Sequence, residues 1–492
     1  MNFNFLSIMP EKLRKLIIGS GVLAFLILTP LIILYSYGYR YSPISRRFTQ
    51  TGNLHLNSAP PGADVIINGR TINDHWYQRL LFYKKALGLT KIESSTPTLI
   101  SHLIPNIYNV SVNKSGYQNW QKKLEVKAGQ TTFSKKINLF LEQSILEKTE
   151  IPNNTASEFN HRQTKIIVSE KTYKEIYLID GLNLKSSVRP LMKNNLAGEV
   201  KNNLSEDGAK ISIVDQFGNI MIVNLDNPNK DFIKIPNISF VRRNRWTNNG
   251  LNLYFDNKKI VYDYDLNQRS LKILFNPQWI GFKNSEINDW LIDNNFIYLI
   301  AKNQKGINFY QIKKESGWTN YKTDDIIKKI NLPDGKYQLE NIFLTDGFIS
   351  IKDKLDNYYF INIEIGQTQE LTNKYFCRKI IKYNETAICF NDWEIIALAV
   401  EKENDQKIIK NEIVLRENNL IKDVAWYDND YIIYANSDRL IALELDNRDY
   451  YYRTEIIKGV SIEEILGVDQ NKNLYFMERQ NNKNYLVKIK IQ

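Results

Sequence analysis

Residues 426–446 read WYDNDYIIYANSDRLIALELD. Trp426 stands before an Asn429-Asp430 turn, a β run follows, and the segment LIALELD closes on Asp446. Runs of this kind, built from Ile, Leu, Val, Tyr and Phe and bounded by polar turn residues, are strands rather than helices. The same figure recurs along the chain. EIYLID ends at Asp180, IMIVNLD at Asp226, IVYDYD at Asp265, INFYQI at Ile312, YYFINI at Ile363, IIALAV at Val400 and YLVKIKI at Ile491. The separations average about 44 residues, the length of a four-stranded propeller blade. The anchor-and-turn marker recurs as Leu204-x-x-Asp207-Gly208, Trp246-x-x-Asn249-Gly250 and Trp290-x-x-Asp293-Asn294.

Helical periodicity is nearly absent after residue 150, so residues 144–492 are read as a β-propeller of eight blades, or of seven with one irregular hairpin. The last run finishes at the C-terminus and leaves no room for an outer strand. Residues 144–151, ahead of the first blade, are the candidate to supply it and seal the ring, which removes exposed edges. No Gly-His or Trp-Asp signature accompanies the period, so pattern alone carries the architecture.

Composition is that of a globular chain: 492 residues, 43% hydrophobic and 24% charged, with 22 Gly and 13 Pro. Wholesale disorder, a polytopic membrane protein and a collagen-like chain are excluded. The net charge of +11 is uneven, with about +5 in residues 1–50, about +5 in 51–150 and about +1 in the remainder. A nearly neutral propeller lacks the basic footprint of a nucleic-acid binder, and none is expected as partner.

LIIGSGVLAFLILTPLIIL, residues 16–34, is uncharged over 19 residues and, at about 1.5 Å per residue, nearly spans a bilayer core. Tyr35, Tyr37, Tyr39 and Tyr41 follow where amphipathic rings favour headgroups. A transmembrane helix is expected over residues 16–37, in contact with the lipid bilayer, after a cytoplasmic tail of residues 1–15. The competing cleaved signal needs a shorter apolar core and a small-residue site, whereas this stretch leads into YSYGYRYSP. Lys12, Arg14 and Lys15 are balanced by Arg40, Arg46 and Arg47, so charge does not set the orientation. The N-terminus is assigned to the cytoplasm because the basic triplet abuts the span and the next module has an exported look. That places a single-pass protein in the cell membrane with its bulk extracytoplasmic.

Residues 50–142 alternate apolar and polar residues around turns at Pro60-Pro61-Gly62, Asn68-Gly69 and Lys114-Ser115-Gly116, which predicts a small antiparallel sandwich. Ser58-x-Pro60-x-Gly62-Ala63, Thr96-Pro97, Tyr108-x-Val110 and Lys114-x-Gly116-Tyr117-x-x-Trp120 resemble the PEGA domain of prokaryotic surface-associated proteins. Asp64 after Gly-Ala, Pro61 in place of the motif's Glu, and Asn106 in place of a glycine depart from it. The resemblance implies a cell-envelope location and a binding or presenting role, and it brings no catalytic residues. Between its halves, Trp76, Leu80, Tyr83 and Leu87 recur at helical spacing, predicting an inserted amphipathic helix. Trp76, Arg79, Lys84 and Lys85 are its candidates for membrane-surface contact, against the alternative of a helix packed over the module's edge.

Chemistry-bearing motifs are missing. There is no G-x-S-x-G elbow, phosphate-binding loop or calcium loop, and His55, His75, His102 and His161 are scattered. Asp263 and Asp265 share a strand face, but Asp180, Asp226 and Asp446 hold the matching position elsewhere, which favours turn capping over acid/base work. No catalytic residue, metal or cofactor is assigned. Cys377 and Cys389 flank a Lys382-Tyr383-Asn384-Glu385 turn and are either bridged or two buried thiols. The sequence is therefore read as a non-enzymatic binding or scaffolding protein for a cell-wall glycan or an envelope protein. The alternative is an envelope hydrolase or lyase with carboxylates at the propeller funnel.

Overall fold

The computed structural model describes residues 11–42, 47–67, 70–71 and 95–492, apart from 154, 161–163, 171–174, 185–188, 194–200, 227–231, 237, 239, 248, 281–284, 315–324, 343, 365–372 and 404. The inserted-helix residues Trp76, Arg79, Lys84 and Lys85, with His75 and His161, lie outside the described residues. By its contacts the chain divides into two compact units. One comprises Met1–Gln143, Asp446–Tyr452 and Gln492, the other Ser144–Leu445 and Arg453–Ile491.

The first unit opens with a helix, Glu11–Ser36, that carries Pro30 within it. Its stretch Lys15–Ser36 has a mean hydropathy of 2.6, and none of its apolar window is buried in the protein. A short hairpin, Tyr39–Ser42 with Arg47–Gln50, follows. Two sheets then stack. Thr98–Leu103, Gly52–Ala59 and Thr131–Asn138 form one, and Arg70–Thr71, Asp64–Ile67, Asn106–Asn113 and Trp120–Val126 the other. Strict alternation in Gly52–Ala59 and Trp120–Val126 sends Leu54, Leu56, Trp120, Leu124 and Val126 into the shared core with Val65, Val110 and Ile137.

The sandwich departs from the all-antiparallel expectation, because Gly52–Ala59 runs parallel to Thr131–Asn138. Between them the chain crosses into the second sheet, so the closing strand returns beside the opening one in the same direction. The Ser58, Gly62-Ala63 and Thr96 motif is one hydrogen-bonded corner. Thr96 Oγ1 lies 2.5 Å from Ser58 Oγ and accepts from the Ala63 amide at 3.0 Å, while Gly62 N donates to Thr96 O at 2.7 Å. Gly62 holds φ +77°, a left-handed conformation suited to glycine. The segment Asp446–Tyr452 completes this unit: Tyr452 OH donates to Asn119 O at 2.6 Å, and buried Lys122 donates through Nζ to Asp446 O at 2.6 Å.

Among the described residues the second unit contains eight four-stranded antiparallel sheets, numbered in the order of their first strands. Those strands are Thr155–Asn160, Lys201–Leu204, Arg243–Trp246, Glu286–Ile292, Tyr337–Glu340, Lys379–Tyr383, Asp423–Trp426 and Ile462–Val468. Each apolar run recognised in the sequence is the third strand of its sheet, as Glu175–Asp180 and Arg439–Glu444 illustrate. The eighth sheet takes its outer strand from the start of the unit, where Ile145–Ile151 pairs antiparallel with Lys483–Lys490. First strands of neighbouring sheets touch one another, including the eighth and the first, where Ser157 Oγ donates to Glu464 Oε2 at 3.0 Å. The unit is therefore a closed propeller. Its core is a series of intersheet clusters, such as Val261, Phe275, Trp290, Leu299 and Tyr310 between the third and fourth sheets.

The repeat markers acquire a physical role. Trp246 Nε1 donates to Asn203 O at 2.9 Å, Trp426 Nε1 to Ile381 O at 3.0 Å and Trp290 Nε1 to Asp256 Oδ2 at 2.9 Å. Each indole lies on a first strand, as its last residue at Trp246 and Trp426, and ties it to the preceding sheet. Deleting Ile145–Ile151 would expose the ladder of Lys483–Lys490, so the deletion should lower the melting temperature of the full chain and promote its self-association by light scattering.

Candidate functional site

Antiparallel alternation sorts the connections of the propeller into two ends. At one end the first strands begin, and the turns between second and third strands gather there with the links from one sheet to the next. At that end two cavities open into the ring of first strands. The larger, about 870 Å³, is lined by Thr155, Arg378, Lys379, Lys422, Asp423 and Glu464 among others. The second, about 540 Å³, is lined by Lys201, Arg242, Arg243, Arg245, Asp289 and Glu340 among others. Volumes of this size suit small-molecule or side-chain recognition.

Glu463 lines the larger cavity as an exposed carboxylate, whereas three other acids are tied into the ring. Asp289 Oδ2 accepts the Leu339 amide of the next sheet at 2.7 Å. Asp423 Oδ2 accepts Ile465 N at 2.8 Å, and Glu158 Oε2 accepts Leu204 N at 3.0 Å. In each case an acid on one first strand satisfies an orphan donor on the following first strand. Around Asp289 the cations are committed as well. Arg243 pairs with it, Arg245 lies 3.4 Å away, and Arg242 Nη2 donates to Ile287 O at 2.7 Å and pairs with Asp256 at 3.1 Å.

Burial pushes Glu158 up to about 7, against the opposing effect of its bond from Leu204. Burial likewise raises Asp423, opposed by Lys379, and Glu340, opposed by the Tyr358 hydroxyl that donates to it at 3.0 Å. Perturbed acids can mark catalysis, but these are spread over the first, fifth and seventh sheets and bonded within the protein.

Asp263 and Asp265 do not form an acid/base pair. Asp265 Oδ1 accepts the Asn267 and Gln268 amides, each at 2.9 Å, and Asp263 Oδ1 accepts Asn252 Nδ2 at 2.8 Å. Asp180 and Asp446 cap turns in the same manner, through Leu182 N at 2.9 Å and Arg448 N at 3.0 Å. Asp226 instead pairs with Lys165 at 2.7 Å. Among the described residues no group of three His, Cys, Asp or Glu side chains is placed to hold a metal. His55 packs against Phe133 in a tilted arrangement, with ring centroids 5.6 Å apart.

Exposed apolar groups gather at the mouth end. Phe217, Phe240, Leu355, Phe376, Trp393 and Leu420 all lie on its turns and links, and Phe240 is 77% exposed at φ +66°. The opposite end exposes Leu182, Leu251 and Tyr383. Cys377 and Cys389 are joined beneath Phe376, with sulfurs 1.99 Å apart and Cα atoms 5.6 Å apart. Cys389 sits opposite Ile380 in the ladder, and Cys377 lies just ahead of Lys379–Tyr383 rather than across from its partner. None of these aromatic positions was singled out by the sequence, since a lone ring in a turn resembles any other.

No curated protein sequence matches the chain. Solved structures resemble it at low similarity. The propeller domain of Myceliophteria thermophila Cps50 (Swd1) is 10% identical with a TM-score of 0.39, covering 71% of this chain and 100% of that one. The C-terminal WD40 domain of Sif2 is 10% identical with a TM-score of 0.44, covering 70% of this chain and 98% of that one. Residues 90–144 match the PEGA domain.

The ring acids give a pH test. Glu158 binds its proton more tightly folded, at about 7, than at its ordinary 4.5, so its contribution is present below pH 4.5 and fades as pH rises through 7. Glu158→Gln keeps an acceptor for Leu204 N and removes the titration. Between pH 5 and 8 the unmodified chain should lose about 2 kcal/mol of stability relative to E158Q. Urea titrations at both pH values check it. The chain thus joins a segment that matches the PEGA domain, residues 90–144, to a β-propeller, with an apolar helix ahead of both.

Proposed function

We propose that the chain is a single-pass membrane protein that binds or scaffolds at the cell envelope, with the mouth end of its propeller as the partner surface. The observation that carries this reading is the placement of exposed aromatic and aliphatic side chains at the same end of the propeller as two cavities where Asp289 and Asp423 are bonded within the protein. Exposed apolar groups on rigidly held loops are what recognition uses, whereas internally bonded acids are poor general acids or bases. The partner is a cell-wall glycan or an envelope protein. The hydrolase alternative requires a free carboxylate pair converging on one cavity, and the bonding of Asp289, Asp423 and Glu158 favours the scaffold.

Lys15–Ser36 serves as an uncleaved anchor, its outer surface free to face lipid, with the N-terminus in the cytoplasm and the two β units outside. The joined Cys377 and Cys389 suit an oxidising exterior.

In intact cells a protease added outside should digest the propeller and spare the N-terminal tail; protection until lysis would reverse the topology. Pull-downs of envelope extract on the full-length protein should recover a protein or glycan, and capture should weaken when charged residues replace Phe240 and Leu355. A broad hydrolase screen that is positive while capture is blank would overturn the scaffold. Unfolded without reductant, the protein should show no free thiol. The C377S/C389S double variant should lose about 3 kcal/mol of propeller stability, the loop-closure value for a bridge of this span.

A further inference from the structure

Behind the Cys377–Cys389 link lies a third cavity, of about 430 Å³, between the end of the fifth sheet and the second-to-third-strand turn of the sixth. Two rings flank it: Phe376, 61% exposed, and Trp393, 52% exposed. Its remaining lining is Asn391, Asp392, Glu394, Arg416, Glu417 and Asn418, all planar hydrogen-bonding side chains.

The charges are balanced within the protein. Asp392 pairs with Arg378 at 3.1 Å, Glu394 with Arg416 at 2.9 Å, and Glu417 with Arg453 at 2.9 Å. A lining in which every acid already has its cation gives little attraction to a phosphate, a polyanion or a basic peptide. It still offers donors and acceptors at its rim, because the Asn391 amide oxygen caps the turn through Trp393 N and Glu394 N while its amino group is not used there.

Two open ring faces with amides and paired carboxylates between them suit a ligand that is apolar on its faces and rich in hydroxyl groups at its edge. Each hydroxyl is both donor and acceptor, and so are the amides it would meet. That ligand is an uncharged pyranose. A peptide anchor would want a desolvated apolar socket, and here the rings stand at the sides of a polar floor.

The disulfide sets the distance between the platforms. Cys377 follows Phe376 directly, Cys389 lies on the strand that leads into the Asn391-Asp392-Trp393 turn, and Arg378 N donates to Phe390 O at 2.8 Å. A cross-link at that point holds the two rings before the ligand arrives and reduces the ordering cost of binding.

We infer that the cleft between Phe376 and Trp393 is a disulfide-clamped binding site for an uncharged glycan. The inference rests on the binding reading above and names both its ligand class and its place.

The test uses the full-length protein in detergent micelles, an array of uncharged gluco-, manno- and N-acetylglucosamine oligosaccharides, and calorimetry on any positive. Sub-millimolar binding of at least one class is expected. Trp393→Ala and Phe376→Ala should each weaken it about tenfold or more, with Trp393→Phe retaining part of it. Asn418→Ala, at an exposed rim residue, should weaken it with an unchanged melting temperature, which separates loss of binding from loss of fold. The C377S/C389S variant should bind about threefold or more weakly. A blank array, binding untouched in W393A, or binding only of a peptide library would overturn the site. If W393A still captures an envelope partner at full strength, the cleft assignment fails and the scaffold reading stands. If the unmodified protein captures nothing, both fail.

Discussion

A propeller has to hold its first strands together at the centre, where they lie too far apart for a continuous ladder and would otherwise leave amides unpaired. In this chain the problem is solved by side chains. Asp289, Asp423 and Glu158 each accept an amide from the next first strand, and Trp246 and Trp426 each donate to a carbonyl of the preceding one. An unmet buried amide costs about 1–3 kcal/mol, so every such bond removes a penalty at the point where neighbouring sheets diverge. Closure of the eighth sheet by Ile145–Ile151 works at the rim, where it pairs the ladder of Lys483–Lys490 and ties the start of the unit to its end.

This bracing explains why acids with raised affinity for protons occur in a channel without implying chemistry. Burial is the main cause that raises Glu158, Glu340 and Asp423, with the Asp289 carboxylate adding to it at Glu340, and the other groups around them are backbone amides, a tyrosine hydroxyl and cations. The polar turns work in a parallel way. Asp and Asn at the turns accept amides two or three residues on, as at Asp353 with Leu355 N and Asn391 with Trp393 N. Short polar side chains suit these places because they both cap turns and tolerate left-handed backbone.

How much was legible follows from what each strand faces. Third strands such as Ile220–Asn224, which reads IMIVN, are buried on both sides and read as nearly continuous apolar runs, so their spacing revealed the repeat. First strands are short and line a wet channel. Arg243–Trp246 reads RNRW and is half-buried throughout, so it carries no period, and only its terminal Trp marked it. The bracing acids sit 46, 50 and 42 residues before their amide partners, too variable to recognise by spacing. In the small sandwich the alternation of Leu54 and Leu56 was legible, but strand direction was not. Periodicity is blind to polarity, and the parallel pairing with Thr131–Asn138 emerged only from the three-dimensional path.

The same asymmetry bears on where function sits. Sheet interiors and first strands are constrained by packing and by amide bonding, so a substitution there is read out as stability. The turns at the mouth end are held by their own capping bonds, and their outward side chains are then free of structural duty. Phe217 and Phe240 show it: Phe240 N donates to Phe217 O at 3.2 Å and Val241 N to Gly218 O at 3.0 Å, so the backbone fixes both rings while neither is buried. A Cβ on Gly218 would come within 2.4 Å of Phe240 Cα, so the exposed pair depends on that glycine. Keeping Phe240 at φ +66° costs about 1–3 kcal/mol by general measure, and no burial of its ring offsets it. A strained, solvent-facing aromatic on a rigid loop gains nothing from folding, and it is this imbalance on which the proposed partner surface at this end of the ring rests.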